Sequence, residues 1–225
     1  MADLEAQVLE GIYRRRFSCR GYQARPVPGE VILNILKIAQ QTPSWCNSQP
    51  WRVVITQGEA TENFREALFA HSEAGEAAPD IAFPLEYHGV YKARRRECGF
   101  GLYESVGIAP GDRAASARQT RENFRLFGAP HVAIITTDAA LGTYGVLDCG
   151  AYVTSFMLAA QAFGVASIAQ ASLAAYAPFV RAHFSIPAER QVVCGISFGY
   201  EDKTHPANKF RTTRATIDET VEWRG

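Results

Sequence analysis

Three clusters of side chains combine residue types and spacings that chemistry could use. Arg14-Arg15-Arg16-Phe17-Ser18-Cys19-Arg20 follows an N-terminal amphipathic stretch. Guanidinium forks match phosphate oxygens bidentately, and a serine hydroxyl at a helix break adds a donor. The same residues also read as a solvated basic helix end that complements the helix dipole. Pro43-Ser44-Trp45-Cys46-Asn47-Ser48-Gln49-Pro50-Trp51 carries two amides two residues apart. On an extended backbone Asn47 and Gln49 point to one side, each with donors and acceptors, and suit the edge of a planar heteroaromatic ring. The plain alternative is a rigid helix-to-strand connection with Trp51 in the core. Asn208-Lys209-Phe210-Arg211-Thr212-Thr213-Arg214 sets Lys209 and Arg211 on one face of an extended stretch. That is either a second phosphate clamp or a solvated tail.

Missing patterns narrow the classes. No GxGxxG follows a strand, and there is no GxxxxGK[ST], HExxH or GxSxG. The five histidines lie far apart and read as surface or capping residues, and no metal site is expected. The cysteines are odd in number with no CxxC spacing, which excludes a zinc ribbon or disulfide scaffold and fits a reducing compartment. With 23 Lys+Arg against 23 Asp+Glu, no global field favours nucleic acid or a membrane surface. A content of 47% hydrophobic residues excludes intrinsic disorder. The opening MADLEAQVLEGIYRRR places acids before the apolar residues and arginines after them, the reverse of a signal peptide, so a cytoplasmic location is expected. Between Asp148 and Arg181, 32 residues carry neither charge nor histidine, long enough to raise a membrane span. Gln161, Gln170, Gly164, Pro178 and abundant alanine instead favour the central helix of a soluble core or a dimer interface.

These clusters need elements to position them. Helical periodicity covers 4–16 and 29–41, the second introduced by Pro26 and Pro28. A strand Trp51–Thr56, a helix Glu59–Ser72 and an acidic loop to about Tyr87 follow. Tyr91–Phe127 reads as helical, arginine-rich and broken near Ala109-Pro110-Gly111. Then come a strand Pro130–Thr136, a helix Tyr144–Phe163, a short strand Val165–Ala169, a helix Ala174–His183 and a strand Gln191–Gly199. A late extended piece near Ala215–Val221 would be a fifth strand. Strands and helices do not alternate strictly, so the expectation is α+β: one domain, 1–225, with a mixed sheet of four or five strands flanked by helices.

Together, in this order and at these separations, the three clusters resemble the FMN-dependent nitroreductase family. Arg16-Phe17-Ser18-Cys19-Arg20 stands where that family carries RRSxR, and Pro43 through Trp51 matches its PSxxNxQPW loop at every fixed position. Gly164–Ser167, Val192–Tyr200, Lys209 and Arg211 match its later segments. Residues 75–127 look like the bacterial nitroaromatic reductases with an enlarged middle section. The resemblance implies an interlocked homodimer that binds FMN, takes hydride from NADH or NADPH, and reduces nitroaromatic compounds in two-electron ping-pong steps to nitroso and hydroxylamine products. It implies no catalytic side chain, since the flavin carries the chemistry. Arg16, Ser18, Lys209 and Arg211 would bind the FMN phosphate, with Arg20 reaching the ribityl chain or the N1/O2 side of the ring. Phe17, replacing a usual basic residue, would contribute its backbone. Pro43, Ser44, Trp45, Asn47 and Gln49 would come from the second subunit, and a backbone N–H near Ala171 or Ser172 would meet N5. A flavoenzyme of the same fold with other chemistry, or a non-enzymatic flavin binder, are the rival readings.

Overall fold

The computed structural model describes residues 2–225; Met1 lies outside the described residues. Seven helices and four strands are present among them: α1 (Ala2–Arg15), α2 (Gly29–Ala39), β1 (Arg52–Ile55), α3 (Glu59–Ala74), α4 (Gly89–Ser105), α5 (Arg113–Arg121), β2 (His131–Asp138), α6 (Gly142–Ala162), β3 (Ala166–Gln170), α7 (Ala177–Phe184) and β4 (Arg190–Gly199). Strand order is β1-β2-β4-β3, with every neighbouring pair antiparallel. The parallel component expected of a mixed sheet reduces to one isolated bridge, Ser18 to Ser167. That bridge, with Cys19 N donating to Ser167 O at 3.2 Å, lays the basic segment along β3.

Alternation along β2 builds two cores, because successive side chains of a strand point to opposite faces. Ala133 and Ile135 face α2 and α6, where Ile35, Tyr152 and Phe156 pack with Ile196 and Phe198 of β4. Val132 and Ile134 face α3 and α7, meeting Phe64, Leu68, Val180 and Val192. Phe156 and Phe198 are fully buried with rings 5.4 Å apart. Truncating either to alanine costs about 3–5 kcal/mol. The charge-free stretch thus supplies a core helix as expected, and no described helix is long and apolar enough to cross a membrane. Leu147 and Tyr144 of the same helix remain largely exposed, as do Leu4, Val8 and Leu9 of α1.

The fifth strand does not form. Residues 215–221 turn, with Val221 N donating to Ile217 O and Glu219 accepting from Thr216 N, and Arg94 of α4 holds Glu219 at 3.7 Å. The tail thereby lies along α4 rather than at a sheet edge.

Candidate functional site

Helix α1 ends at Arg15, and the next five residues descend past the start of β3. Phe17 and Cys19 turn inward, leaving Arg16, Ser18 and Arg20 facing outward on alternate positions. Asn208, buried at 2% exposure, fixes this segment. It accepts from Arg20 N at 2.7 Å and donates to Gly21 O at 2.8 Å and Asp202 O at 2.9 Å. Asn208 O in turn accepts from Arg211 Nη1 at 2.6 Å, and the Arg211 guanidinium lies 3.8 Å above the Phe17 ring. One buried amide therefore couples opposite ends of the chain.

The result is a cleft of about 730 Å³ lined by Arg16, Phe17, Ser18, Arg20, Arg211 and Arg214, with Cys98 of α4 and Thr154 and Met157 of α6. Its charge is one-sided. Among the described residues none of Arg16, Arg20, Arg211 and Arg214 is paired with a carboxylate; Arg14, at the same cleft, pairs with Glu10, and the other paired arginines do not line it. Burial, then Arg214 and Arg211 in that order, lowers the pKa of Arg16. Burial does the same to Arg20, whose guanidinium stands 6.0 Å from the Phe127 ring and donates to Ser18 O at 3.2 Å. Guanidiniums held together and partly desolvated without counter-charge are costly unless an anion joins them. Their planar forks fit a phosphate.

Lys209 departs from expectation. It ends a 3-10 turn, Pro206–Lys209, is exposed, and does not line the cleft. The stretch up to Lys209 is a turn and becomes extended only at Phe210. The Phe210 ring packs on Gly101 of α4, where a Cβ would come within 2.5 Å. That contact turns the chain so that Arg211 and Arg214 enter the cleft together. Arg214 and Asn208 are the residues sequence reasoning missed, although both lie within the singled-out run from Asn208 to Arg214.

The amide loop also differs in its route. Trp45–Asn47 is a 3-10 turn, and Cys46, Asn47 and Gln49 all have positive φ, at 49°, 56° and 45°. The amides still meet, because Gln49 Nε2 donates to Asn47 Oδ1 at 3.1 Å. Such a left-handed run of non-glycine residues persists only when its surroundings hold it. Asp148 Oδ2 accepts from Trp45 N at 3.1 Å, Ser44 Oγ accepts from Gln49 N at 2.9 Å, and Gln49 Oε1 accepts from Gln40 Nε2 at 3.0 Å. At the far end, buried Arg190 donates to Pro50 O at 2.9 Å and to Thr136 beside the β2 bulge. Trp51 is buried and stacks on Tyr152 as the plain reading required. Pro43, Ser44, Trp45, Asn47 and Gln49 stay outside the arginine cleft of their own chain.

Ala171 and Ser172 open the turn after β3, four residues beyond Ser167 and so about 13 Å along the strand direction. Ala171 is exposed, whereas the Ser172 hydroxyl is buried without a partner. The other polar groups are structural. His131 stacks on Phe198, accepts from Val27 N at Nε2 and reaches Thr56 O through Nδ1. Cys19 and Cys149 are pushed up to about 11, and Cys194 to about 12, by burial, which makes them inert thiols. No described residues form a group of three metal-ligating side chains.

Comparison with known proteins finds relatives along nearly the whole chain. Residues 13–200 match the profile of the Nitroreductase family. Nitroreductase NfnB of Mycolicibacterium smegmatis is 35% identical over 97% of this chain and 93% of its own length. A 4-nitrobenzoate reductase of Nocardioides is 31% identical over 96% and 89%. The crystal structure of FMN-dependent nitroreductase NfnB from Mycobacterium smegmatis in complex with NADPH superimposes with a TM-score of 0.93 at 33% identity, covering 98% of this chain and 99% of that one. With the family profile matched over residues 13–200 and relatives aligned along nearly the whole length, the chain belongs to the nitroreductase family.

Proposed function

We propose that this chain is an FMN-dependent oxidoreductase that uses NADPH or NADH to reduce nitroaromatic compounds in two-electron steps to nitroso and hydroxylamine products. The observation that carries the reading is the convergence of Arg16, Arg211 and Arg214 in one cleft without a carboxylate. A phosphate monoester is the ligand that supplies the missing charge in bidentate form. Arg16, Ser18, Arg211 and Arg214 hold that phosphate, and Lys209 stays outside. Arg20 extends from the same segment and keeps a positive charge toward the ribityl and N1/O2 side, where preorganised charge favours electron uptake. Phe17 supplies backbone and the surface beneath Arg211. The backbone N–H groups at Ala171 and Ser172 face the ring edge from the end of β3.

FMN held by these residues would supply the hydride-transfer chemistry between nicotinamide and nitro group. The chain's residues bind, orient and exclude water, and no side-chain nucleophile or dedicated acid is used. Pro43, Ser44, Trp45, Asn47 and Gln49 complete the site from a second subunit. The exposed apolar residues of α1 and α6, Leu4, Val8, Leu9, Tyr144 and Leu147, are the surface that a homodimer covers. The protein works in the cytoplasm, as one domain spanning 1–225. Nitrobenzoate and nitrobenzene, named for its relatives, are the first substrates to try.

The test is direct. Purified protein should be yellow, and should oxidise NADPH on addition of nitrobenzoate with parallel-line, ping-pong kinetics and little consumption of oxygen. A colourless preparation that takes up no added FMN, or NADPH oxidation as fast with oxygen alone, overturns the reading.

A further inference from the structure

Helix α4 has two faces with different roles. Arg94, Cys98 and Gly101 lie on the face turned to the cleft: Cys98 lines it, Arg94 holds the tail through Glu219, and Gly101 receives Phe210. At a helical repeat of 3.6, Lys92, Arg95 and Arg96 share the opposite face. All three are exposed, and among the described residues none is paired with a carboxylate. The nearby acids are engaged elsewhere: Glu86 with His88 at 3.0 Å, Glu97 with Thr213 at 2.8 Å, Glu219 with Arg94. The two guanidiniums rest on aromatic rings, Arg95 at 5.3 Å from Tyr87 and Arg96 at 5.5 Å from Phe100. A chain of zero formal net charge thus concentrates three uncompensated cations beside exposed rings, one helix diameter, about 10 Å, from the cleft.

We propose that Lys92, Arg95 and Arg96 bind the adenosine 2′-phosphate of NADPH and so set its preference over NADH. The inference rests on the flavin oxidoreductase reading and names the co-substrate it favours. NADPH and NADH differ only in that phosphate, and the sequence has no glycine-rich dinucleotide fingerprint to read the adenosine. An arginine pair already stacked on rings offers both a fork for the phosphate and π faces for the adenine. Because these cations are exposed, their attraction is screened by salt, with a Debye length of about 8 Å at physiological ionic strength.

The experiment uses the FMN-loaded enzyme and its R95A/R96A and K92A variants. Affinities for NADP⁺ and NAD⁺ are measured by calorimetry alongside KM for NADPH and NADH with a nitroaromatic acceptor. The ratio of NADP⁺ to NAD⁺ affinity should fall about ten-fold in R95A/R96A and about three-fold in K92A, and the wild-type ratio should fall on raising salt. Equal weakening of both nucleotides, or an unchanged ratio, overturns the inference and points instead to a subunit contact on this face. Failure of the wild-type enzyme to oxidise either nucleotide would strike at the proposed function, a distinguishable result.

Discussion

Arg214→Ala should move ligand binding and stability of the free protein in opposite directions. In the cleft Arg214 stands with Arg16 and Arg211, and its charge lowers the pKa of Arg16 after burial does. Removing it relieves like-charge repulsion, so the apoprotein should melt slightly higher. Bound FMN loses a hydrogen bond to a charged group, about 1.5–3 kcal/mol, and its Kd rises on the order of ten- to hundred-fold. At FMN about 100 times the wild-type Kd, binding stabilises the fold by about 2.7 kcal/mol, and a ten-fold weaker complex keeps about 1.4 kcal/mol. For a chain of this length one kcal/mol corresponds to about 2–4 °C, so the FMN-induced rise in Tm should shrink by about 3–5 °C. Scanning calorimetry of apo and FMN-loaded forms reads both quantities. A lowered apo Tm with the FMN-induced shift intact would refute the argument, because Arg214 would then be a structural residue and not part of an anion site.

Other perturbations test separate parts of the structure. Asp148→Ala removes the acceptor that holds Trp45 N, and should cost about 1–3 kcal/mol in urea unfolding and speed hydrogen exchange in the 44–49 loop, whereas Asp148→Asn, which retains an acceptor, should restore most of both. Burial holds the His131 imidazole below its usual 6.5, and its Nε2 accepts from Val27 N only while unprotonated. Its contribution is present above about pH 6.5 and is lost as pH falls toward the folded value. Urea midpoints should therefore drop from pH 7.5 to 5.5, and His131→Gln should flatten that slope even though it lowers stability throughout. A thiol reagent at pH 8 should reach the buried Cys19, Cys149 and Cys194 only on unfolding. Prompt reaction at all of these sites would contradict the packing described.

The elements that repeat along the chain were the legible ones. Val132 to Ile135 alternate between two cores, and Ile32, Ile35 and Ala39 recur at helical spacing, so β2 and α2 follow from pattern alone. The basic segment 16–20 and the paired amides were legible as chemistry because their residue types are unusual at that spacing. Long-range packing decided what was not legible. Arg214 enters the cleft because Phe210 seats on Gly101, a contact between distant segments that no local pattern announces. Ala215–Val221 looked extended, yet a strand needs a free sheet edge, and Arg94 draws Glu219 to α4 instead. Asn47 and Gln49 come together through a left-handed turn that Ser44 holds from within the loop and Asp148 from a distant helix. Antiparallel pairing throughout the sheet likewise depends on the direction in which β3 returns after α6.

The central claim, that unpaired arginines from both ends of the chain await a phosphate, is tested most directly by comparing FMN with riboflavin. These ligands share the ring and ribityl chain and differ in the phosphate alone. Equilibrium titration of apoprotein at low and high salt should give FMN at least a hundred-fold tighter binding than riboflavin, with the gap narrowing as salt rises. Equal affinity for the two at every ionic strength would contradict the account, because the cleft of Arg16, Arg211 and Arg214 would then have no part in holding the cofactor.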